Sequence, residues 1–284
     1  MSTLAATRLK AANPEETILA IESLSAFPMV ALRAMNMLAG TDTALAELCD
    51  LIRCDPVFTA EILRIANSPL VAFSKEITSV LQASMLLGFR RLRRVVITVG
   101  LSSYMDTSTR ATKACWRHSA ACAILAERTA RWNAVDRDFA YTAGILHDIG
   151  RVALSTVSPQ VYSDLYERAA FEPVWDPLQR EQEAFGIDHC AAGRLLIQSW
   201  NLPQSFLDTT CSHHAPLTNQ EDAAEVMRLS CRLADSLGFA AFWHPSILSG
   251  EEALSMFPES VCRHLPHKDE LAAEIAKEIA AIET

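Results

Sequence analysis

Glycine and proline are scarce in this chain. Its 284 residues include 9 and 12 of them, where average usage would supply roughly 34 in total. Few tight turns can be built from so small a supply, so a fold made of many short hairpins is excluded. Basic residues are also in the minority: 25 Lys and Arg stand against 34 Asp and Glu, a net charge of -9. That excludes a global basic field for nonspecific nucleic-acid binding. No apolar run approaches the ~18 residues of a membrane span. The first residues, MSTLAATRLKAANPEE, lack the apolar core of a secretion signal. The eight cysteines form no CxxC pair. Without a secretion signal they read as reduced core thiols in a cytoplasmic chain. With half the residues apolar and 21% charged, disorder is excluded as the main state.

What is present is helical punctuation. Asp42 and Thr43 open an apolar-periodic stretch that runs to Cys54. Asp55-Pro56 restarts a helix with Asp55 as N-cap. Phe58, Ile62 and Ile65 form its buried stripe, and Asn67-Ser68-Pro69 ends it. Ser79 with Gln82 gives a capping-box pattern, and Gly88 reads as a terminator. Leu92, Val95, Val96 and Val99 follow at helical spacing, with a strand as the alternative. The polar stretch Ser102–Lys113 predicts a joint. Beyond it, helices are expected around 114–132, 138–149, 189–200, 203–214 and 221–240. An amphipathic tail follows with Leu271, Ile275, Ile279 and Ile282 on one stripe. Residues 155–180, with four aromatics and three prolines, read as an irregular excursion. The expectation is an all-α protein of two helical lobes, 1–105 and 106–284. Four arginines crowd residues 90–94 (Arg90, Arg91, Arg93, Arg94) and read as a solvated helix face rather than a nucleic-acid patch.

The chemistry gathers in the second lobe. His118 shares a helix face with Cys122 and Leu125, and His189 with Ala192, Gly193 and Leu196. Asp235 follows Met227 and Cys231 at steps of four, which aims a carboxylate at the core. A buried carboxylate needs a cation or strong donors. His147-Asp148 and His213-His214 are adjacent pairs, and neighbours on a helix point about 100° apart. Both members serve one centre only if ions lie beside the helix or if two ions share the site. The mixed nitrogen and oxygen set suits Fe, Mn, Zn or Ni, one ion or two, better than Ca or Mg. Hydrogen-bonded core histidines are the alternative.

These residues resemble a known family. Asp55-Pro56, the run Ile62 to Ser68, and Ala83 through Leu87-Gly88 are similar to the N-terminal signature of HDOD domains. Tyr141 through Gly150, Phe185 through His189, Trp200-Asn201-Leu202-Pro203 and His213-His214 resemble that family's HD-like core. The resemblance covers residues 20–240. It implies an all-α fold related to HD phosphohydrolases and a role as an output or regulatory module in bacterial signalling. In the related HD-GYP phosphodiesterases, the positions of His118, His147, Asp148, His189, His213, His214 and Asp235 carry metal ligands. Arg151 stands where those enzymes have the Lys of HDxGK, and Ala114 where some carry a Glu ligand. No Gly-Tyr-Pro segment follows His214.

Two functions follow from the resemblance. One is a non-catalytic response-regulator-type output module that binds a signalling protein or a small nucleotide-like ligand, away from membranes, with homodimerisation left open. The other is a metal-dependent phosphohydrolase. There Asp148 would bridge two ions and Arg151 would meet the phosphate. His118, His147 and Asp235 would hold one ion, and His189, His213 and His214 the other.

Overall fold

A computed structural model describes residues 13–24, 28–36, 42–67, 77–104, 108–131, 135–218 and 220–283. About three quarters of the protein is helical, and no strand occurs among the described residues. The all-α expectation holds. The helices are α1 (Pro14–Glu22), α2 (Met29–Asn36), α3 (Asp42–Arg53), α4 (Pro56–Ala66) and α5 (Val80–Tyr104). They continue with α6 (Arg110–Ala130), α7 (Arg137–Leu146), α8 (Ile149–Val157), α9 (Pro159–Ala169) and α10 (Pro177–Phe185). Last come α11 (His189–Ser199), α12 (Ser205–Ser212), α13 (Ala223–Ala234), α14 (Gly250–Ser255), α15 (Glu259–Cys262) and α16 (Lys268–Glu283).

Local chemistry explains the boundaries. Asp55 accepts the amide of Phe58 at the start of α4, and Ser79 accepts that of Gln82 at the start of α5. Asn67 leaves α4 and pairs with Ile77 through both ends of its amide, pinning the chain on its return. Ser68 and Pro69 lie outside the described residues. Gly88 adopts φ 73°, ψ 163° and breaks α5 into two segments. That backbone region is essentially glycine's alone. Leu92 to Val99 lie in the second segment, so the strand alternative is discarded.

The expected irregular stretch at 155–180 is instead mostly helix. Pro159 and Pro177 sit at the first positions of α9 and α10, where a missing N–H costs nothing. Composition alone cannot distinguish a proline that starts a helix from one that ends it. The tail α16 packs on α6 through buried Leu271, Ile275 and Ile279. Arg128 of α6 also reaches Glu274 and Glu278. The cysteines form no disulfide, but Cys54 is exposed and so is not a core thiol.

The arginine cluster is a solvated face in only half of its members. Arg90 and Arg91 are exposed, whereas Arg93 is buried and places Nη2 2.9 Å from Asp138 of α7. Arg94 pairs with Glu127 of α6 and lies over the Tyr141 ring. Opposite charges on α6 and α7, remote in sequence, recruit these side chains inward. At the other end, α1 crosses the expected division at residue 105 and packs on α8 and α11. There Thr17 donates to the Phe185 carbonyl at 2.8 Å.

Candidate metal centre

Helix ends, rather than helix faces, build the site. The expected helix through 147–148 is interrupted: His147 closes α7 and Asp148 precedes α8. His213 likewise closes α12, with His214 just beyond. At a break, adjacent side chains escape the 100° divergence of a continuous helix, so both members of each pair reach one centre. His189 opens α11 behind its Asp188 cap, and His118 projects from the middle of α6. A close crossing holds α8 to α11. A Cβ on Gly150 would lie 1.9 Å from the His189 carbonyl oxygen and 2.6 Å from the Gly193 nitrogen.

All seven predicted residues converge. Their side chains are buried, except that Asp235 is about one third exposed and His214 is exposed. Four imidazoles are held in the same sense. Nδ1 of His147 lies 2.8 Å from the Gly144 carbonyl, and that of His213 lies 3.0 Å from the Thr210 carbonyl. Nδ1 of His118 faces the Phe239 carbonyl at 3.0 Å and Asp235 at 3.1 Å. His189 Nδ1 meets Glu181 at 2.5 Å. With Nδ1 engaged in each ring, every Nε2 points inward, the arrangement typical of metal-binding histidines.

The inward atoms fall into two groups. Asp148 Oδ1 lies 3.3 Å from His189 Nε2 and 3.1 Å from His213 Nε2. His214 Nε2 lies 3.0 Å from His189 Nε2. The other group joins His118 and His147, whose Nε2 atoms are 3.3 Å apart, to Cys122 and Cys231. Asp148 Oδ2 faces this second group at 3.6 and 3.7 Å. Asp235 belongs to neither group and orients His118 from behind.

Two observations fit a cation. Nε2 faces Nε2 at 3.0–3.3 Å in three pairs of rings, a spacing that needs a proton or a metal ion between each pair of nitrogens. The buried Asp148 carboxylate also receives no well-aligned hydrogen bond on either oxygen. Its charge is balanced by Arg151 and the imidazoles, but a bound cation would satisfy the lone pairs that they leave poorly aligned.

Arg151 and Glu181 complete the surroundings. Arg151 is buried, with Nε 2.9 Å from Asp148 Oδ2 and Nη1 3.1 Å from Glu181 Oε1. Its guanidinium stacks on Phe242. Burial pushes against ionising Asp148, but Arg151 and the histidines outweigh it and hold the carboxyl well below its usual range. Burial lifts Glu181 to about 7 despite Arg151. Burial and Arg151 hold His189 well below the usual imidazole value, and burial and His213 do the same to His214. Both rings are therefore neutral and able to ligate. Cys231 is held low against burial by Cys122 and His147, so it is poised as thiolate.

Sequence reasoning missed Glu181, Cys122 and Cys231 as members of the site. The cysteines were visible only as face-mates of His118 and Asp235. Glu181, eight residues before His189, gave no spacing signal.

Residues 24–216 match the HDOD domain family. A crystal structure of an HDOD domain protein of unknown function from Geobacter sulfurreducens is similar at 25% identity. It has a TM-score of 0.69 and covers 95% of this chain and 97% of that one. A candidate signal transduction protein from Marinobacter aquaeolei VT8 shares the fold at 19% identity and TM-score 0.73, over 97% of this chain and 68% of that one. A candidate metal-dependent phosphohydrolase from Shewanella amazonensis SB2B does so at 16% identity and TM-score 0.57, over 91% of each chain. An uncharacterized protein of Treponema pallidum (strain Nichols) is 23% identical over 68% of this chain, which spans 38% of that protein's length. No described helix is long and apolar enough to cross a membrane. The family match over two thirds of the chain, joined to the ordered HD-type cluster, makes this protein a member of the HDOD domain family.

Proposed function

We propose that the chain is a bacterial signalling output module of the HDOD type. In this reading it acts in the cytoplasm by binding a protein or a nucleotide-like ligand, and its HD-type cluster retains metal without turning substrate over. Residues 106–284 form the metal lobe, and residues 1–105 present the helices that precede it.

The observation that carries this reading is the size of the opening. The cluster meets solvent through a cavity of about 50 Å³, with Trp175 and Phe242 at its walls. Binding sites for ligands of drug size are on the order of 300–1,000 Å³. A cavity of that volume is too small to enclose a cyclic dinucleotide. Arg151, where a catalytic lysine would meet phosphate, is instead committed to Asp148 and Glu181. A ligand has room elsewhere. A groove of about 330 Å³ nearby is lined by Arg110, Lys113, Arg117, Tyr166 and Trp243, which is cationic and aromatic enough for a phosphate and a base. A protein partner would find Met29, Leu81 and Met85 exposed on α2 and α5.

The group of Asp148, His189, His213 and His214 favours a second reading, metal-dependent phosphohydrolysis. A divalent ion bound there would supply Lewis acidity and an acidified water. The residues themselves would hold ions and exclude bulk solvent. Turnover of cyclic dinucleotides and simple phosphodiesters, with Mn and Fe supplied anaerobically, separates the two. No turnover is expected. A rate above ~1 s⁻¹ that vanishes in Asp148→Ala would replace the regulatory reading with the hydrolase.

A further inference from the structure

Two thiols stand inside the cluster where the family resemblance supplies no ligand. Cys122 follows His118 by one helical turn on α6, and Cys231 comes from α13. One ligand atom from each of Cys122, Cys231, His118 and His147 lies within 4.8 Å of the other three, and all four residues are buried.

The distances can be compared with a coordination polyhedron. Zinc takes nitrogen at about 2.0–2.1 Å and sulfur at about 2.3 Å, tetrahedrally. The edges of that tetrahedron are then about 3.3 Å between two nitrogens and about 3.5 Å between nitrogen and sulfur. In the structure His118 and His147 Nε2 are 3.3 Å apart, and Cys122 Sγ is 3.5 Å from His118 Nε2. A thiol donating to an imidazole explains the second distance alone. The first distance needs a proton or a metal ion between the two Nε2 atoms, and a metal ion accounts for both distances at once.

We propose that His118, Cys122, His147 and Cys231 form a closed His2Cys2 zinc site, separate in chemistry from the group of Asp148, His189, His213 and His214. The inference rests on the reading that the cluster holds metal, and it specifies what one half of the cluster takes. Thiolates select a softer ion than a carboxylate does. Four protein ligands also leave no position for a water, the mark of a structural site rather than a hydrolytic one. The zinc would tie α6, α7 and α13 together. Asp235, placed 3.1 Å from His118 Nδ1, is then the carboxylate that orients a ligand rather than a ligand itself.

The test uses the full chain, purified without an affinity tag and reconstituted with zinc. X-ray absorption should show a sulfur shell at about 2.3 Å. His189→Ala should keep that shell, and Cys122→Ser with Cys231→Ser should lose it together with one equivalent of zinc. Should the double variant fail to fold, cobalt(II) in the wild-type chain gives the same information through sulfur-to-cobalt charge-transfer absorption. Zinc bound with nitrogen and oxygen neighbours alone, or cobalt bound without that absorption, overturns this inference and leaves the metal-binding reading standing. No metal bound after reconstitution overturns both.

Discussion

Replacing Gly150 with Ala tests whether the crossing of α8 and α11 sets the geometry of the site. The added Cβ would lie 1.9 Å from the His189 carbonyl oxygen, against ordinary contact from 3.4 Å outward. The helices must therefore separate by about 1.5 Å, and the obstacle is backbone, which cannot rotate aside. Asp148 lies at the start of α8 and His189 at the start of α11, with 3.3 Å between their ligand atoms. A shift of this size opens that gap beyond any shared ion. Overpacking of this kind costs about 1–3 kcal/mol, and a clash with backbone belongs at the upper end. For a chain of this length a loss of about 3 kcal/mol corresponds to a fall in Tm of about 5 °C. Calorimetry and metal content should fall together. Gly250→Ala is the control, because its Cβ would meet only the flexible Lys268 side chain, at 3.3 Å, and should leave both unchanged. A Gly150→Ala protein that melts within about 2 °C of wild type with full metal content would refute the reasoning.

Three further outcomes are expected. Asp148→Ala should lower metal occupancy, because Asp148 Oδ1 lies 3.3 and 3.1 Å from the Nε2 atoms of His189 and His213; unchanged metal content in elemental analysis would contradict this. Asp138→Asn should destabilise by about 3–5 kcal/mol in chemical denaturation, since it leaves buried Arg93 without its carboxylate; a loss below about 1 kcal/mol would mean that other groups neutralise Arg93. In the metal-free protein, Glu181 is raised from 4.5 to about 7 by burial. Its contribution is thus fully present below about pH 4.5 and is lost as pH rises through about 7. Thermal melts between pH 5 and 8 should decline less steeply in Glu181→Gln, and an unchanged slope would exclude this assignment.

The legible parts of the sequence were those with local causes. Asp55, Ser79 and Gly88 act within a few residues of themselves, and their caps and break stand where the pattern places them. The convergence of His118, His147, Asp148, His189, His213 and His214 was legible because each lies on an apolar face or in a paired motif, whereas Asp235, expected as a ligand, stands behind His118. Partners chosen by tertiary packing were not legible. Arg93 and Arg94 turn inward for Asp138 and Glu127, more than thirty residues away. Glu181 reaches the centre only because α10 delivers it to His189 and Arg151. Pro159 and Pro177 misled because proline marks both ends of helices.

The short helix α7 has a mechanical consequence. At one end Asp138 is gripped by arginines from α5, and at the other His147 turns its ring into the metal cluster. Ten residues of helix make a rod about 15 Å long that does not stretch. A shift of α5 that preserves those ion pairs therefore moves His147 against its fellow ligands. By reciprocity, whatever tightens the cluster favours one placement of α5 by the same free energy. The N-terminal helices and the candidate metal centre are thus the two ends of one lever, with Asp138 and His147 as its handles.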